Sequence, residues 1–159
     1  MSFYFSTTRC IELSCLYYLE TNLNNDWSGV TVVKTFKKVY SKDVDIPIVC
    51  VRLADTASVR REVGSTALED RHLIIIDVFT RSDAQRLDLK HYIKDKLKDG
   101  WVHYDYSHAS GDNSTLEKSA NGRDFVTSFV TDSRIDIGEA EDDKDKHRHN
   151  ITIRVRKSS

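Results

Sequence analysis

Six histidines and 25 carboxylates among 159 residues are the material for metal or acid–base chemistry, and spacing decides how much is usable. His147 and His149 would set two imidazoles on one side of an extended chain, but spacing supplies no third ligand of the kind a zinc site needs. That pair reads as polar residues of a charged segment. His103 and His108 flank Asp105, a trio able to hold a metal or move a proton, at what the surrounding alternation marks as a strand end. His72 and His91 read as surface or helix-flank residues. A metal-dependent nuclease would need clustered carboxylates with a lysine beside them. Asp43, Asp45, Glu69, Asp70 and Asp77 are candidates by composition, Asp77 acting with Asp43 or Asp45, but no Glu-x-Lys strand motif follows an acidic residue. Asp77 interrupts the most apolar stretch of the chain. A carboxylate there must find a partner, and Arg52 or Arg71 is the expected one.

Other catalytic patterns are missing. There is no Gly-x-Ser-x-Gly elbow, no phosphate loop around Gly64-Ser65-Thr66 and no dinucleotide fingerprint. No catalytic residue, metal site or cofactor is expected, and an enzyme is the lesser reading. Cys10, Cys15 and Cys50 are odd in number and lack a Cys-x-x-Cys pair, so they read as buried free thiols of a cytosolically folded chain. With 24 basic and 25 acidic side chains the net charge is −1, short of the basic excess usual in a nucleic-acid binder. No apolar run spans a bilayer, and the first residues lack the cationic stretch and small-residue cleavage site of a signal peptide.

Two helices and a set of strands must position these groups. Residues 7–24 carry an apolar stripe of Ile11, Cys15, Leu16, Leu19 and Leu23 at helical spacing. Val30–Val39 reads as a half-solvated strand forming a hairpin with Ile46–Leu53, and Ala54–Thr66 as a charged connector or a short helix around 58–63. Leu73–Phe79 has the unalternating β-branched character of a strand covered on both faces. Ser82 and Gln85 form a capping box that opens a helix to Lys98, with Leu89, Tyr92, Ile93 and Leu97 inward and Gly100 just past its end. Trp101–Tyr106 alternates as an edge strand, with Tyr104 and Tyr106 on one face. Residues 107–124 read as a long mobile loop, 125–130 and 134–137 as short strands, 138–150 as a second charged excursion, and 150–156 as a closing strand. The expectation is one α+β domain over 1–159: a mostly antiparallel or mixed β-sheet flanked by two main helices, with long polar loops.

This layout resembles the tail-terminator (tail-completion) proteins of long-tailed bacteriophages. The likeness rests on the helix at Thr7–Asn24, the strand pair through Val30–Leu53 and a connector with Arg60 and Arg61. It continues through Arg71–Phe79, the helix from Ser82 to Lys98 and a closing strand at Ile151–Val155. The segment from Ser107 to Asn150 is longer than the compact family plan requires. The resemblance implies a virion structural protein of the tail or neck, made in the host cytoplasm. It would form a homohexameric ring that caps the head-proximal end of the tail tube and ends tube polymerisation. Its partners would be itself, the tail tube protein and a head-completion or connector protein. DNA would pass through the lumen without sequence-specific binding, and no membrane would be involved. A head-closure or neck-connector component is the neighbouring reading, and a small metal-dependent nuclease the one from another class. Arg60, Arg61, Arg154 and Arg156 are the expected subunit or partner interface, where guanidinium forks meet the carboxylates of a neighbour. The two long polar segments, 107–124 and 138–150, would either order on contact with tube or connector or be simple floppy loops.

Overall fold

The computed structural model describes residues 5–60, 68–109, 112–136 and 143–158. Among the described residues three α-helices, α1 (Thr7–Asp26), α2 (Phe36–Val39) and α3 (Asp83–Leu97), accompany six strands. These are β1 (Thr31–Val33), β2 (Ile48–Arg60), β3 (Leu68–Thr80), β4 (Trp101–Ala109), β5 (Asp112–Ile135) and β6 (His147–Lys157). They form a single mixed sheet in the order β1-β2-β3-β6-β5-β4, antiparallel except for β1 against β2. The α+β expectation is met.

β3 and β6 form the centre, and their alternation builds two faces. Ile74, Ile76 and Val78 of β3 and Ile151, Ile153 and Val155 of β6 are buried against Ile11, Cys15, Leu19 and Leu23 of α1 and Leu89, Ile93 and Leu97 of α3. On the opposite face, α2 seals only the β1–β2–β3 end, where Val39 joins Val33, Val44, Ile48, Cys50 and Phe79. Over the rest of that face β6 presents Arg154 and Arg156 to solvent. Leu73 and Ile75 are half-buried, so β3 is covered fully on one face and partly on the other.

α1 spans the gap between the sheet's two ends. Ser14 Oγ accepts from Tyr104 N–H (2.9 Å) and donates to Tyr104 C=O (3.4 Å), so a helix side chain occupies the outer edge of β4. Tyr106 N–H reaches Cys10 Sγ, and Phe5 N–H bonds Tyr106 C=O at 2.9 Å. At the other end, Glu12 accepts from Leu53 N–H (2.8 Å), where β2 is bulged, and pairs with Lys34 at 3.2 Å. One helix touching first and last strands requires the sheet to curl around it.

Several local expectations are corrected. Only Thr31–Val33 of the 30–39 run pairs as a strand; Phe36 and Val39 then sit one helical turn apart, which places both beneath the sheet. β1 runs parallel to β2 rather than forming a hairpin, because the chain returns through α2 and the following loop to start β2 at the same end. The hairpin is β2–β3, and residues 54–60 extend β2 instead of forming a connector or helix. Residues 107–109 and 112–124 are strand rather than loop, with 110–111 outside the described residues. β4 continues to Ala109, and β5 runs from Asp112 through Ile135. β5 takes in the strand expected at 125–130 and the start of the one expected at 134–137, whose last residue lies outside the described residues. Its period is broken by register shifts opposite Val102/Tyr104 and His108/Ala109 of β4 and at 126/128 and 129/131, and residues 116–123 are exposed on both faces, so no alternation survives in the sequence. Of the 138–150 excursion, a 3₁₀ turn at Asp143–Asp145 and the start of β6 are described, and 138–142 lie outside the described residues. Lys144 Nζ donates to three carbonyls, those of Val39, Ser41 and Val44.

The cap of α3 is half as expected. Ser82 Oγ accepts from Gln85 N–H (3.2 Å), but the Gln85 side chain returns to Arg81 N–H (2.8 Å) rather than to Ser82. Gly100 ends the segment with φ +74°, and a Cβ there would lie 2.3 Å from the Asp124 carbonyl oxygen. Gly100→Ala combines left-handed strain with a backbone clash. It is expected to destabilise the fold by more than about 2 kcal/mol, measured as a lowered urea midpoint at unchanged m-value.

Candidate functional site

Three buried polar clusters and one bare surface remain once the core is accounted for. The first answers the question posed by Asp77. Its carboxylate is held by Arg52 Nη2 (3.5 Å), Arg148 Nη2 (3.2 Å) and Asn150 Nδ2 (3.2 Å) on the face opposite α1 and α3. Both guanidiniums lie over the Phe36 ring, at 5.2 and 4.8 Å, and Arg148 also over Phe79 at 5.1 Å. Arg52 is thus one of the two partners expected from sequence, and Arg148 takes the place proposed for Arg71. Cys50, opposite Asp77 in the β2–β3 register, has its thiol pushed up to about 11 by burial and then by the neighbouring carboxylate. Asp77 is ringed by cations and an amide, the environment of a structural anion. Asp43 is tied to Ser41 (2.8 Å) and Lys38 (3.3 Å), and Asp70 to Ser58 (2.5 Å). Among the described residues no three His, Cys, Asp or Glu side chains converge in a way that could hold a metal ion.

The second cluster joins α3 to the sheet. Arg86 Nη1 lies 2.6 Å from His149 Nδ1, and a guanidinium has no lone pair, so Nδ1 must accept. The ring proton therefore sits on Nε2 and is donated to Asp132 Oδ1 at 2.5 Å. Lys94 (2.7 Å) and Lys90 (3.2 Å) reach the other Asp132 oxygen. Burial pushes the Asp132 carboxyl up, but Lys94, His149 and Lys90 outweigh it and hold it well below the carboxylate range. For His149, burial lowers the imidazole against the opposing pull of Asp132. With both nitrogens engaged, this His–Asp pair has no free site for a substrate proton. Lys90 and Lys94 of α3 thereby anchor β5.

The third cluster is the His103 reading revised. His103 Nδ1 is 3.0 and 3.1 Å from the two oxygens of Asp124, which also accepts from Trp101 Nε1 (3.0 Å). His103 and Asp124 are both fully buried. Asp105 lies 3.4 Å from His103 Nε2, whereas His108 stacks edge-on against Phe5, so the expected trio does not assemble. Asp124 was hidden from sequence reasoning by its place at the end of a polar stretch read as loop. Both clusters serve to fasten β5 to its neighbours.

The surface is of a different kind. Among the described residues, β3 pairs with β6 only from His72 to Thr80, and residues 68–71 pair with β2 alone. In the same set, β5 pairs with β6 only from Asp124 onward, and residues 112–120 pair with β4 alone. Two two-stranded arms therefore pass the end of β6 on either side, at the same end of the sheet. Arg154 and Arg156 lie just before that end on the open face, in register with Leu73 and Phe125. Arg60 is the last residue of β2, paired with Leu68, and five residues further along β3 places it roughly 17 Å beyond Arg154. Arg61 lies outside the described residues. The three described positions, Arg60, Arg154 and Arg156, thus lie toward one end of the sheet without forming a single patch. The three cysteines are buried and free. No helix of the described residues is long and apolar enough to cross a membrane. No family model matches the chain, and a search of curated proteins finds no relative.

Removing the Asp77 carboxylate strands two partly desolvated guanidiniums. Asp77→Ala is expected to cost about 3 kcal/mol, whereas Arg52→Ala, which leaves Arg148 and Asn150 in place, should cost under half as much; chemical denaturation of both variants checks the ratio.

The histidine and carboxylate shifts also fix a pH profile. His72, lowered by burial, and His149 both bind protons less readily folded than unfolded, so their stabilisation is present above about pH 6.5 and lost as pH falls below it. Asp132, also depressed, contributes above its ordinary value near 3.8 and fails only at lower pH. Tm is therefore expected to fall in two stages on acidification. His149→Gln should flatten the upper stage and Asp132→Asn the lower.

Proposed function

We propose that this chain is a virion structural protein that assembles as a homohexameric ring, caps the head-proximal end of a phage tail tube and joins it to the head connector. The observation that carries this reading is the pair of two-stranded arms that run past the end of β6. A two-stranded ribbon is at best marginally stable alone in water. Here residues 116–123 of β5 are all exposed, although every other long element is anchored in the core. Ribbons built past the core find their missing burial against another chain. The order of elements, resembling the tail-terminator layout, agrees with that use. The charge balance suits it as well, since opposed-sign segments on one chain supply self-complementary surfaces. In this reading Arg154, Arg156 and Arg60 contact neighbouring carboxylates, and DNA crosses the lumen without base contacts.

The reading is tested by light scattering with negative-stain imaging, alone and with purified tail tubes. Rings of six times the chain mass, or density confined to one tube end, are the expected result. Arg154→Glu with Arg156→Glu should reduce ring or tube-end occupancy while leaving Tm nearly unchanged, as for exposed substitutions generally. A strict monomer that ignores tube ends overturns the proposal. Binding to isolated connector but not to tubes would move the protein to the neck.

A further inference from the structure

The backbone of the β4–β5 arm has a direction that the side chains alone do not reveal. Tyr104 and Tyr106 point their N–H and C=O groups outward, to Ser14, Cys10 and Phe5. In an antiparallel pair, a residue facing away from its partner strand has an opposite residue that also faces away. Tyr104 is opposite Ala120, Tyr106 opposite Lys118 and His108 opposite Leu116. Leu116, Lys118 and Ala120 therefore present their N–H and C=O groups to the far edge of β5. β6 runs beside β5 only as far as Ser158, whose N–H bonds Arg123 C=O at 2.8 Å. Among the described residues no strand pairs with that edge from Leu116 to Ala120.

The same parity applies to the other arm. Ser158 N–H faces β5, so Lys157 faces the other way and Val155 faces β3. Val155 is opposite His72, so His72 faces β6, and Asp70 and Leu68 expose their backbone groups on that same side. β6 has parted from β3 at this point, because the last pairing between them is His72 with Val155. Among the described residues, these edges of β5 and β3 have no strand partner.

We infer that the β5 edge at Leu116, Lys118 and Ala120 accepts an antiparallel strand from a second copy of this chain, namely residues 68–71 of that copy's β3. Setting outward-facing Lys118 against outward-facing Asp70 brings Glu117 opposite Arg71 and Ala120 opposite Leu68. Several registers satisfy the backbone parity, and this is the one in which both charged pairs are of opposite sign. Donor and acceptor are different surfaces, so the contact is head-to-tail, the kind that closes a ring if the rotation allows it. The inference deepens the ring proposal and rests on it.

The test mixes equal amounts of a Lys118→Cys chain and an Asp70→Cys chain under mild oxidation; the native thiols, all buried, remain silent. The expected product is a disulfide between the two kinds of chain, and a linked ladder when both substitutions sit on one chain. Ala120→Pro removes an outward N–H without touching the β4 ladder, and should weaken assembly by about tenfold at unchanged Tm. Lys118→Glu should weaken it by about two- to fivefold, with rescue when Asp70→Lys is introduced on the same chain. Rings that form normally with Ala120→Pro and yield no mixed disulfide overturn the strand pairing and leave the ring reading intact. Linkage of Lys118→Cys chains to one another alone overturns it in favour of a two-fold contact. Failure of the unmodified chain to assemble under any condition, including with tail tubes, overturns both.

Discussion

The curl of the sheet depends on α1 lying between its ends. A six-stranded sheet left open would offer backbone groups along β4 and a bulged amide in β2 to solvent or to another chain. α1 meets both with short polar side chains: Ser14 and Cys10 on β4, Glu12 on β2. Its apolar stripe fills the hollow so formed. Because one helix does both, a displaced α1 would release the sheet edge and the core together. The polar contacts are therefore as much part of the packing as Leu19 or Leu23.

The two arms that pass the end of β6 lie at one end of the sheet. α3 and its lysines secure β5 through Asp132, Asp124 secures it through Trp101 and His103, and the 3₁₀ turn before β6 is fixed by Lys144. Polar residues that looked like candidates for catalysis are spent in this way. The imidazoles of His149 and His103 are buried in hydrogen-bonded pairs, and Asp77 is saturated by arginine. Among the described residues these side chains act as fasteners, and stretches of backbone at the edges of two hairpins have no strand partner.

The sequence made plain those elements whose pattern is set by one dominant contact. β3 and β6 each bury one face against helices, so their β-branched residues recur at the right spacing; α3 announced itself through Ser82, Leu89, Ile93 and Leu97. β5 was illegible because bulges interrupt its period and its first half is solvated on both faces. β1 and α2 were merged because Val33, Phe36 and Val39 are apolar in a row, although two conformations place them. Of the site, the exposure of Arg154 and Arg156 and the need of Asp77 for an arginine could be read directly. Asp124 and Asp132 could not, since their partners lie across strands that local spacing does not connect.

The position of β6 has a kinetic consequence. It is the latest of the described strands in the chain, yet it lies in the middle of the sheet, between β3 and β5. Until residues 147–157 arrive, the β2–β3 hairpin and the β4–β5 hairpin each carry a raw inner edge with no partner. Folding must therefore wait on a long-range closure, a slow step for chains rich in distant contacts. Until that closure, the nascent protein is a pair of sticky ribbons, most open to mispairing with its own sisters when many copies are made at once.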